Sequence, residues 1–154
     1  MRKNFKNRQG LYFRFFAELK KKHNFVPMKD IFQLEYVLGK VSQNVLWNAL
    51  STSDGLACWF ADKVEEKENI FTFHWGRSEQ SAQMLLSKAN SHVRYRWEDE
   101  EDNRCYFEMR ISVSEISEDV TLTITDFSES SEDLKDLTDW WNIQIEQLQK
   151  ALGM

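Results

Sequence analysis

The three histidines are the side chains of this sequence best suited to acid, base or metal chemistry. His23, His74 and His92 lie far apart, and none stands at metal-ligand spacing from another histidine or from a cysteine. The sequence also lacks a nucleophile elbow and a glycine-rich phosphate loop, the motifs that accompany many acyl-transfer and nucleotide enzymes. We therefore predict no catalytic residue, no metal site and no cofactor.

The acidic run Glu98–Asp102 raises one calcium hypothesis, because carboxylates are hard oxygen ligands. The run lacks the Asp-x-Asp spacing and the central glycine of a calcium loop, so the sequence favours a solvated hairpin tip. The strands on either side carry Arg94, Arg96 and Arg110. We expect these arginines to pair with Glu108 across neighbouring strands of a sheet.

Length and charge limit the class of protein. The chain has 154 residues, which suits one domain, and a net charge of −5, which disfavours a nucleic-acid partner. It has two cysteines, Cys58 and Cys105, and no recognisable secretory segment. These features favour a reducing, cytoplasmic setting, with one disulfide left open as an alternative.

Charge also divides the chain after Pro27. Residues 1–27 carry eight basic side chains and one acidic side chain, whereas residues 28–154 carry a net charge of −12. The basic segment contains an aromatic cluster that could contact an acidic membrane surface or a protein partner, but that is too short to span a bilayer. We favour a simpler interpretation, in which residues 1–27 are a leader that is disordered or not part of the native domain. The domain is then residues 28–154, with Met28 as the start of the native protein.

From Met28 onward, apolar residues alternate with polar ones over seven segments, a pattern typical of antiparallel strands. The predicted strands are Asp30–Val37, Phe60–Val64, Asn69–Trp75, Gln80–Lys88, His92–Trp97, Arg104–Val113 and Val120–Phe127. Between the first two, Ser42 is the predicted N-cap of one short helix. Ser51 and Asp54 form a variant capping box that predicts a second short helix over Thr52–Trp59.

The last segment predicts a long amphipathic helix. Its start is marked by hydroxyl and carboxylate acceptors from Ser130 to Asp133. Its apolar stripe repeats at spacings of three and four and consists of Leu134, Leu137, Trp141, Ile145, Leu148 and Leu152. Because the helix has one apolar stripe and each strand has one apolar side, we expect the helix to pack against the concave side of the sheet.

These elements, in this order, resemble START-like proteins in the branch related to the Hsp90 ATPase activator homologues. In that family the helix pair ends in leucine, tryptophan and an aromatic residue, a mid-sheet strand ends in tryptophan, and the last helix has a tryptophan followed by aliphatic residues. The matching positions here are Leu56, Trp59, Phe60, Trp97, Trp141, Ile145 and Leu148. Two departures, Ser53 for a usual proline and Trp140 for a common glycine, indicate a divergent branch.

The resemblance implies an α+β helix-grip START-like fold. In this fold a curved antiparallel sheet of six to seven strands wraps around a long C-terminal helix, and two short helices follow strand 1. It also implies a cavity between sheet and helix, which relatives use to hold apolar small molecules. The expected walls are Phe73, Trp75, Tyr95, Trp97, Phe107, Met109, Trp141 and Ile145. Among them, Tyr95 is expected to supply a polar handle.

Two functions remain open. In the first, a noncatalytic domain binds an apolar or amphipathic, lipid-like small molecule in the cavity. In the second, the same aromatic side chains fill the core, and the surface binds a protein partner as a homodimer or a chaperone-associated adaptor. An enzyme acting on a bound apolar substrate is a third alternative. An empty void of about 300 Å³ would cost roughly 7 kcal/mol, so either a ligand or large side chains must occupy the space.

Overall fold

The computed structural model describes residues 28–154, and the predicted leader, residues 1–27, lies outside them. Seven strands and three helices follow one another along the described part. The strands are β1 (Asp30–Gly39), β2 (Lys63–Lys67), β3 (Ile70–Trp75), β4 (Ser78–Lys88), β5 (His92–Trp97), β6 (Phe107–Val113) and β7 (Val120–Ser128). The helices are α1 (Gln43–Ser51), α2 (Ser53–Leu56) and α3 (Ser131–Ala151).

All seven strands form one antiparallel sheet in the order β1-β7-β6-β5-β4-β3-β2. The strands from β2 to β7 pair one after another, as antiparallel strands joined by short connections do. β1 instead pairs with β7, so that Leu34 lies opposite Ile124. Together with the long C-terminal helix and the two short helices after β1, this confirms the predicted α+β helix-grip fold.

The inner face of the sheet carries the apolar side chains, as the alternation predicts. In β3, Phe71, Phe73 and Trp75 are buried, whereas Thr72 and His74 are only half-buried and lie on the outer face. The inner-face side chains form one continuous core with those of the helices.

α3 begins where the acceptors predict. The Ser130 hydroxyl accepts a hydrogen bond from the backbone N–H of Asp133 at 3.1 Å, and Glu132 and Asp133 place negative charge in the first turn. Both contributions stabilise a helix N-terminus.

The apolar stripe of α3 packs onto the inner face of the sheet. Trp141, Ile145 and Leu148 are buried in the shared core, and the Trp141 ring centroid lies 5.9 Å from that of Phe107 on β6. The predicted stripe is wrong at its first position. Leu134 is 36% exposed, because the first turn of α3 lies outside the core.

α2 starts one residue later than predicted. Its N-cap is Thr52, whose hydroxyl accepts from the backbone N–H of Gly55 at 3.0 Å. The hydroxyl of Ser51 donates instead to the carbonyl of Trp47 at 2.7 Å. Ser51 therefore belongs to the end of α1, and the predicted capping box does not form.

α2 packs very closely against α1. A Cβ atom at Gly55 would lie 2.0 Å from the carbonyl oxygen of Asn48, so this contact requires glycine. The helix also ends at Leu56 rather than at Trp59. The backbone N–H groups that follow bond back to the Leu56 carbonyl in a turn, which ends the regular helical pattern.

Two predicted strands begin too early. β2 starts at Lys63 rather than Phe60, because the backbone N–H of Phe60 belongs to the turn that closes α2. β6 starts at Phe107 rather than Arg104, because Asp102 holds Arg104 in a turn through an ion pair of 2.7 Å. β2 also ends at Lys67, three residues after the predicted Val64. The remaining strand boundaries agree with the prediction within two residues.

Candidate functional site

The eight predicted wall residues lie between the inner face of the sheet and α3, on β3, β5, β6 and α3. Trp97 is half-buried. The other seven are at most 2% exposed, namely Phe73, Trp75, Tyr95, Phe107, Met109, Trp141 and Ile145. The structure therefore brings the predicted set together in one place, and its binding of a ligand stays a prediction.

Several of these side chains contact one another directly. The ring centroid of Trp97 lies 5.0 Å from that of Phe107 and 5.7 Å from that of Phe73. Tyr95 lies 5.2 Å from Phe107. Such separations are those of packed aromatic pairs, so the rings occupy much of the space between sheet and helix.

Phe60 lies at the centre of this aromatic cluster, although the sequence pattern placed it in a strand. It is 1% exposed and stands on the turn between α2 and β2. Its ring centroid is within 6.5 Å of those of Trp59, Phe73, Trp75, Trp97, Phe107, Trp140 and Trp141. The signal that could have identified Phe60 is the family motif that it completes after Leu56 and Trp59.

Tyr95, the predicted polar group of the site, already donates a hydrogen bond within the protein. Tyr95 is buried, and its hydroxyl donates to the carbonyl of Leu50 at 2.8 Å. Burial raises the pKa of Tyr95, so the phenol stays protonated. Tyr95 therefore fastens α1 to β5, and its oxygen can only accept a hydrogen bond from a ligand.

Three indole N–H groups tie elements of the core together. Trp59 donates to the carbonyl of Ala49 at 2.7 Å, and Trp75 donates to the carbonyl of Phe60 at 2.8 Å. Trp141 donates to a carboxylate oxygen of Asp126 at 2.9 Å. These bonds fix the positions of the rings around Phe60.

Trp140 differs from those three tryptophans. Its Nε1 atom is buried and has no hydrogen-bond partner among the residues that the structure describes. Its ring lies 5.8 Å from that of Phe60 and 4.6 Å from that of Trp141. One turn later on the same side of α3, Gln144 is 3% exposed.

Asp126 is a polar residue of this region that the sequence reasoning missed. It is partly buried on the inner face of β7, and its second carboxylate oxygen accepts from the backbone N–H of Phe127 at 2.8 Å. Burial raises the pKa of Asp126 to about 7. The alternation that put Val120, Leu122 and Ile124 on the inner face also puts residue 126 there, and could have identified it.

Further carboxylates lie close to Asp126. Lys29 forms an ion pair with Glu100 and lies 3.8 Å from Glu129, while Asp133 accepts from the backbone N–H of Glu129 at 2.7 Å. Electrostatic interactions link Asp126 to both Lys29 and Asp133. Lys29, Glu100, Asp126, Glu129 and Asp133 therefore form one corner of interacting charged groups beside the start of α3.

The outer face of the sheet carries the predicted charge pairing in part. Glu108 accepts from Arg94 at 3.1 Å and from Arg110 at 3.3 Å, and Arg94 also lies over the ring of Tyr106. Arg96 does not join this group. Its guanidinium donates to backbone carbonyls of the loop before β6 instead.

The remaining candidates for chemistry are separate from one another. His74 lies between Glu65 and Glu79 on the outer face, and His92 bonds the hydroxyl of Ser91 at 2.8 Å. Within residues 28–154, no group of three histidine, cysteine or acidic side chains is arranged to hold a metal ion.

The two cysteines do not form the disulfide that the sequence left open. Cys58 is an exposed free thiol, and Cys105 is a buried one. Burial raises the pKa of Cys105 to about 11. Among the described helices, none is both long and apolar enough to cross a membrane.

Comparison with solved structures finds several similar chains. A protein of Bacteroides fragilis, solved by NMR, is 39% identical over 79% of this chain and 90% of its own, with a TM-score of 0.60. The Aha1 dimer of Colwellia psychrerythraea is 14% identical over 80% of this chain and 96% of its own, with a TM-score of 0.67.

DynU16, a protein of the dynemicin biosynthetic locus, is 15% identical over 81% of this chain and 48% of its own, with a TM-score of 0.67. At such identities, DynU16 and the Aha1 protein share the fold with this chain. A search of curated proteins found no match. The model of the START-like superfamily domain matches residues 26–154. The chain therefore belongs to the START-like superfamily, as the order of its motifs predicts.

Proposed function

We propose that this domain is a noncatalytic binding module for an apolar or amphipathic, lipid-like small molecule held between the sheet and α3. The observation that carries the proposal is the position of Phe60. This ring stands on a turn rather than a strand, between the half-buried Trp97 and Trp140, and it fills the centre of the predicted site. Rotation of one side chain would open a space lined by aromatic rings.

A closed unliganded state fits this proposal. An open cavity of about 300 Å³ would cost roughly 7 kcal/mol, comparable to the whole stability of a small domain. A binding domain of this size gains stability when its own side chains occupy the site between ligands. A ligand that displaces Phe60 must then replace the ring contacts that Phe60 makes.

A cytoplasmic setting completes the proposal. It is supported by the two free thiols, because oxidising compartments favour disulfides. The comparisons offer no substrate to carry over, since the Aha1 dimer and DynU16 share only the fold.

The second candidate is a protein-interaction or chaperone-associated adaptor, including a homodimer, whose core is filled. The direct packing of the predicted walls on one another favours it. In that case Phe60 is a permanent part of the core, and the outer surface performs the function.

Native mass spectrometry of the protein purified from its own host separates the two candidates. The binding module should retain an extra mass in the folded state that is lost on unfolding. The variant Ile145→Phe, which adds volume inside the predicted site, should abolish that mass. Leu134→Phe, at an exposed position of the same helix, should retain it.

Both variants should be folded by circular dichroism, because overpacking costs about 1 to 3 kcal/mol. A folded wild-type protein that carries no extra mass, or an extra mass that persists in a folded Ile145→Phe variant, would contradict binding at this site. The first of these outcomes favours the adaptor.

A further inference from the structure

The two edge strands of the sheet differ in how well they are protected from pairing with another chain. An edge strand presents unpaired backbone N–H and C=O groups, and natural proteins protect it by short length and charged side chains. β2 follows this rule, because it has five residues, four of them charged and exposed. β1 has ten residues and, within residues 28–154, pairs with β7 alone. The second edge of β1 is therefore the better place for a further strand.

β1 also carries apolar side chains that the domain covers only in part. On the outer face of the sheet, Ile31 is 57% exposed and Val37 is 69% exposed. On the inner face, Phe32, Leu34 and Tyr36 are half-buried. A strand added along this edge would cover apolar surface on both faces, and burial of that surface favours association.

The stretch of β1 from Ile31 to Val37 is complementary to itself in antiparallel orientation. When Leu34 lies opposite Leu34 of a second copy, every residue of the stretch faces one of similar chemistry or a hydrogen-bonding partner. The opposite pairs are Ile31 with Val37, Phe32 with Tyr36, and Gln33 with Glu35. Directly opposite residues of an antiparallel pair point to the same face, so the members of each pair contact each other.

The neighbouring registers lose this match. A register centred on Gln33 would place Ile31 opposite Glu35, and one centred on Glu35 would place two like charges opposite each other, which destabilises a sheet. In the register centred on Leu34, Gln33 can serve two acceptors, because its amide has two N–H donors. It donates to the hydroxyl of Thr125 at 3.2 Å and can also donate to Glu35 of the second copy.

We infer that two copies of this chain pair through β1, in antiparallel orientation and centred on Leu34, so that their sheets become one continuous sheet across a two-fold axis. The same patch then serves both copies, as two-fold symmetry requires. The inference goes beyond the proposed function, because it concerns an edge of the sheet rather than the space between the sheet and α3. Neither depends on the other.

Sedimentation equilibrium of the full chain measures this association. We expect a species of twice 18.4 kDa that dissociates on dilution. Ile31→Lys and Val37→Glu should each raise the Kd of the dimer by about tenfold or more, because a charge replaces an apolar partner and the two-fold axis repeats every contact. Both positions are exposed in one copy, so both variants should be folded by circular dichroism.

The double variant, which combines Ile31→Lys with Val37→Glu, tests the register. In the dimer centred on Leu34 it forms one Lys–Glu pair on each side of the axis, so its Kd should return to within about threefold of wild type. The two positions cannot pair within one chain, because they lie about 20 Å apart along the strand. Ile116→Lys, at a 98% exposed position between β6 and β7, is the matched control and should keep the wild-type Kd.

Three results would overturn the inference. A full chain of 18.4 kDa at every concentration would leave this edge to residues 1–27 or to another protein. A dimer whose Kd is unchanged in both single variants would place the contact elsewhere. A double variant that associates no more tightly than the single variants would exclude this register. None of these results bears on the mass retained in native mass spectrometry, so the binding function is tested separately.

Discussion

The side chain of Asn142 on α3 makes a hydrogen bond to β1 whose contribution can be measured without any ligand. Its amide oxygen accepts from the hydroxyl of Tyr36 at 2.7 Å. Asn142→Met removes this hydrogen bond and should lower the free energy of unfolding by about 1 kcal/mol.

Urea denaturation of wild type and Asn142→Met at one pH checks this prediction. An unchanged free energy of unfolding would mean that Tyr36 and Asn142 bond equally well to water when they are separated.

Asp126 should make stability fall as the pH rises. The pKa of Asp126 is about 7 in the folded protein, above the usual value of 3.8 that applies to the unfolded chain. The contribution of Asp126 to the free energy of unfolding is therefore fully present below pH 3.8 and is lost as the pH rises through about 7. Asp126→Asn removes this titration and keeps an acceptor for the N–H of Trp141. The free energy of unfolding of the variant, relative to wild type, should therefore rise by about 2 kcal/mol between pH 5 and pH 8.

Urea titrations of wild type and Asp126→Asn at several pH values measure that difference. All other groups titrate alike in the two proteins, so the difference isolates Asp126. A difference that does not change with pH would mean that the carboxyl group is solvated in the folded state.

The candidate site was only partly predictable at the scale of residues. The eight wall residues could be named because buried aromatic side chains follow the inner-face alternation of each strand. Phe60 was not among the predicted wall residues, because it lies in a turn, where burial does not follow a periodic pattern along the sequence. The missing partner of Trp140 could not be predicted, because it depends on which acceptors the folded chain brings near.

At the scale of elements, the contact between α1 and α2 leaves no room for a side chain at Gly55. A methyl group at Gly55 would overlap the carbonyl of Asn48, so Gly55→Ala should lower the free energy of unfolding by about 3 kcal/mol or more. Gly76→Ala is the control, because its φ of +61° is strained but nothing lies near its Cβ, and it should lose only about 1 kcal/mol. Thermal and urea denaturation compare the two, and equal losses would mean that the helix pair can move apart.

The elements themselves were largely predictable. Alternating apolar residues identified all seven strands, and the hydroxyl of Ser130 marked the start of α3. The errors in element boundaries lie where consecutive residues are buried, so that apolar residues no longer alternate with polar ones. Trp59, Phe60 and Ala61 are three consecutive buried side chains, and this run resembles the start of a strand although its backbone forms a turn.

At the scale of the whole molecule, the basic leader remains a prediction. If residues 1–27 do not belong to the folded domain, a chain that begins at Met28 should melt within about one degree of the full chain. Differential scanning calorimetry at low and physiological salt measures the two melting temperatures. A drop of several degrees in the shorter chain would show that the leader docks on the domain, whose net charge is opposite to its own.

The pairing of β1 with β7 also sets the order in which this protein can be assembled. Gln33 and Thr125, which bond each other across the two strands, are separated by 92 positions along the sequence. During synthesis, β1 leaves the ribosome long before its partner exists, and it must wait while the strands from β2 to β6 pair locally. Since contacts between distant positions slow folding, the pairing of β1 with β7 should limit the rate at which the domain folds.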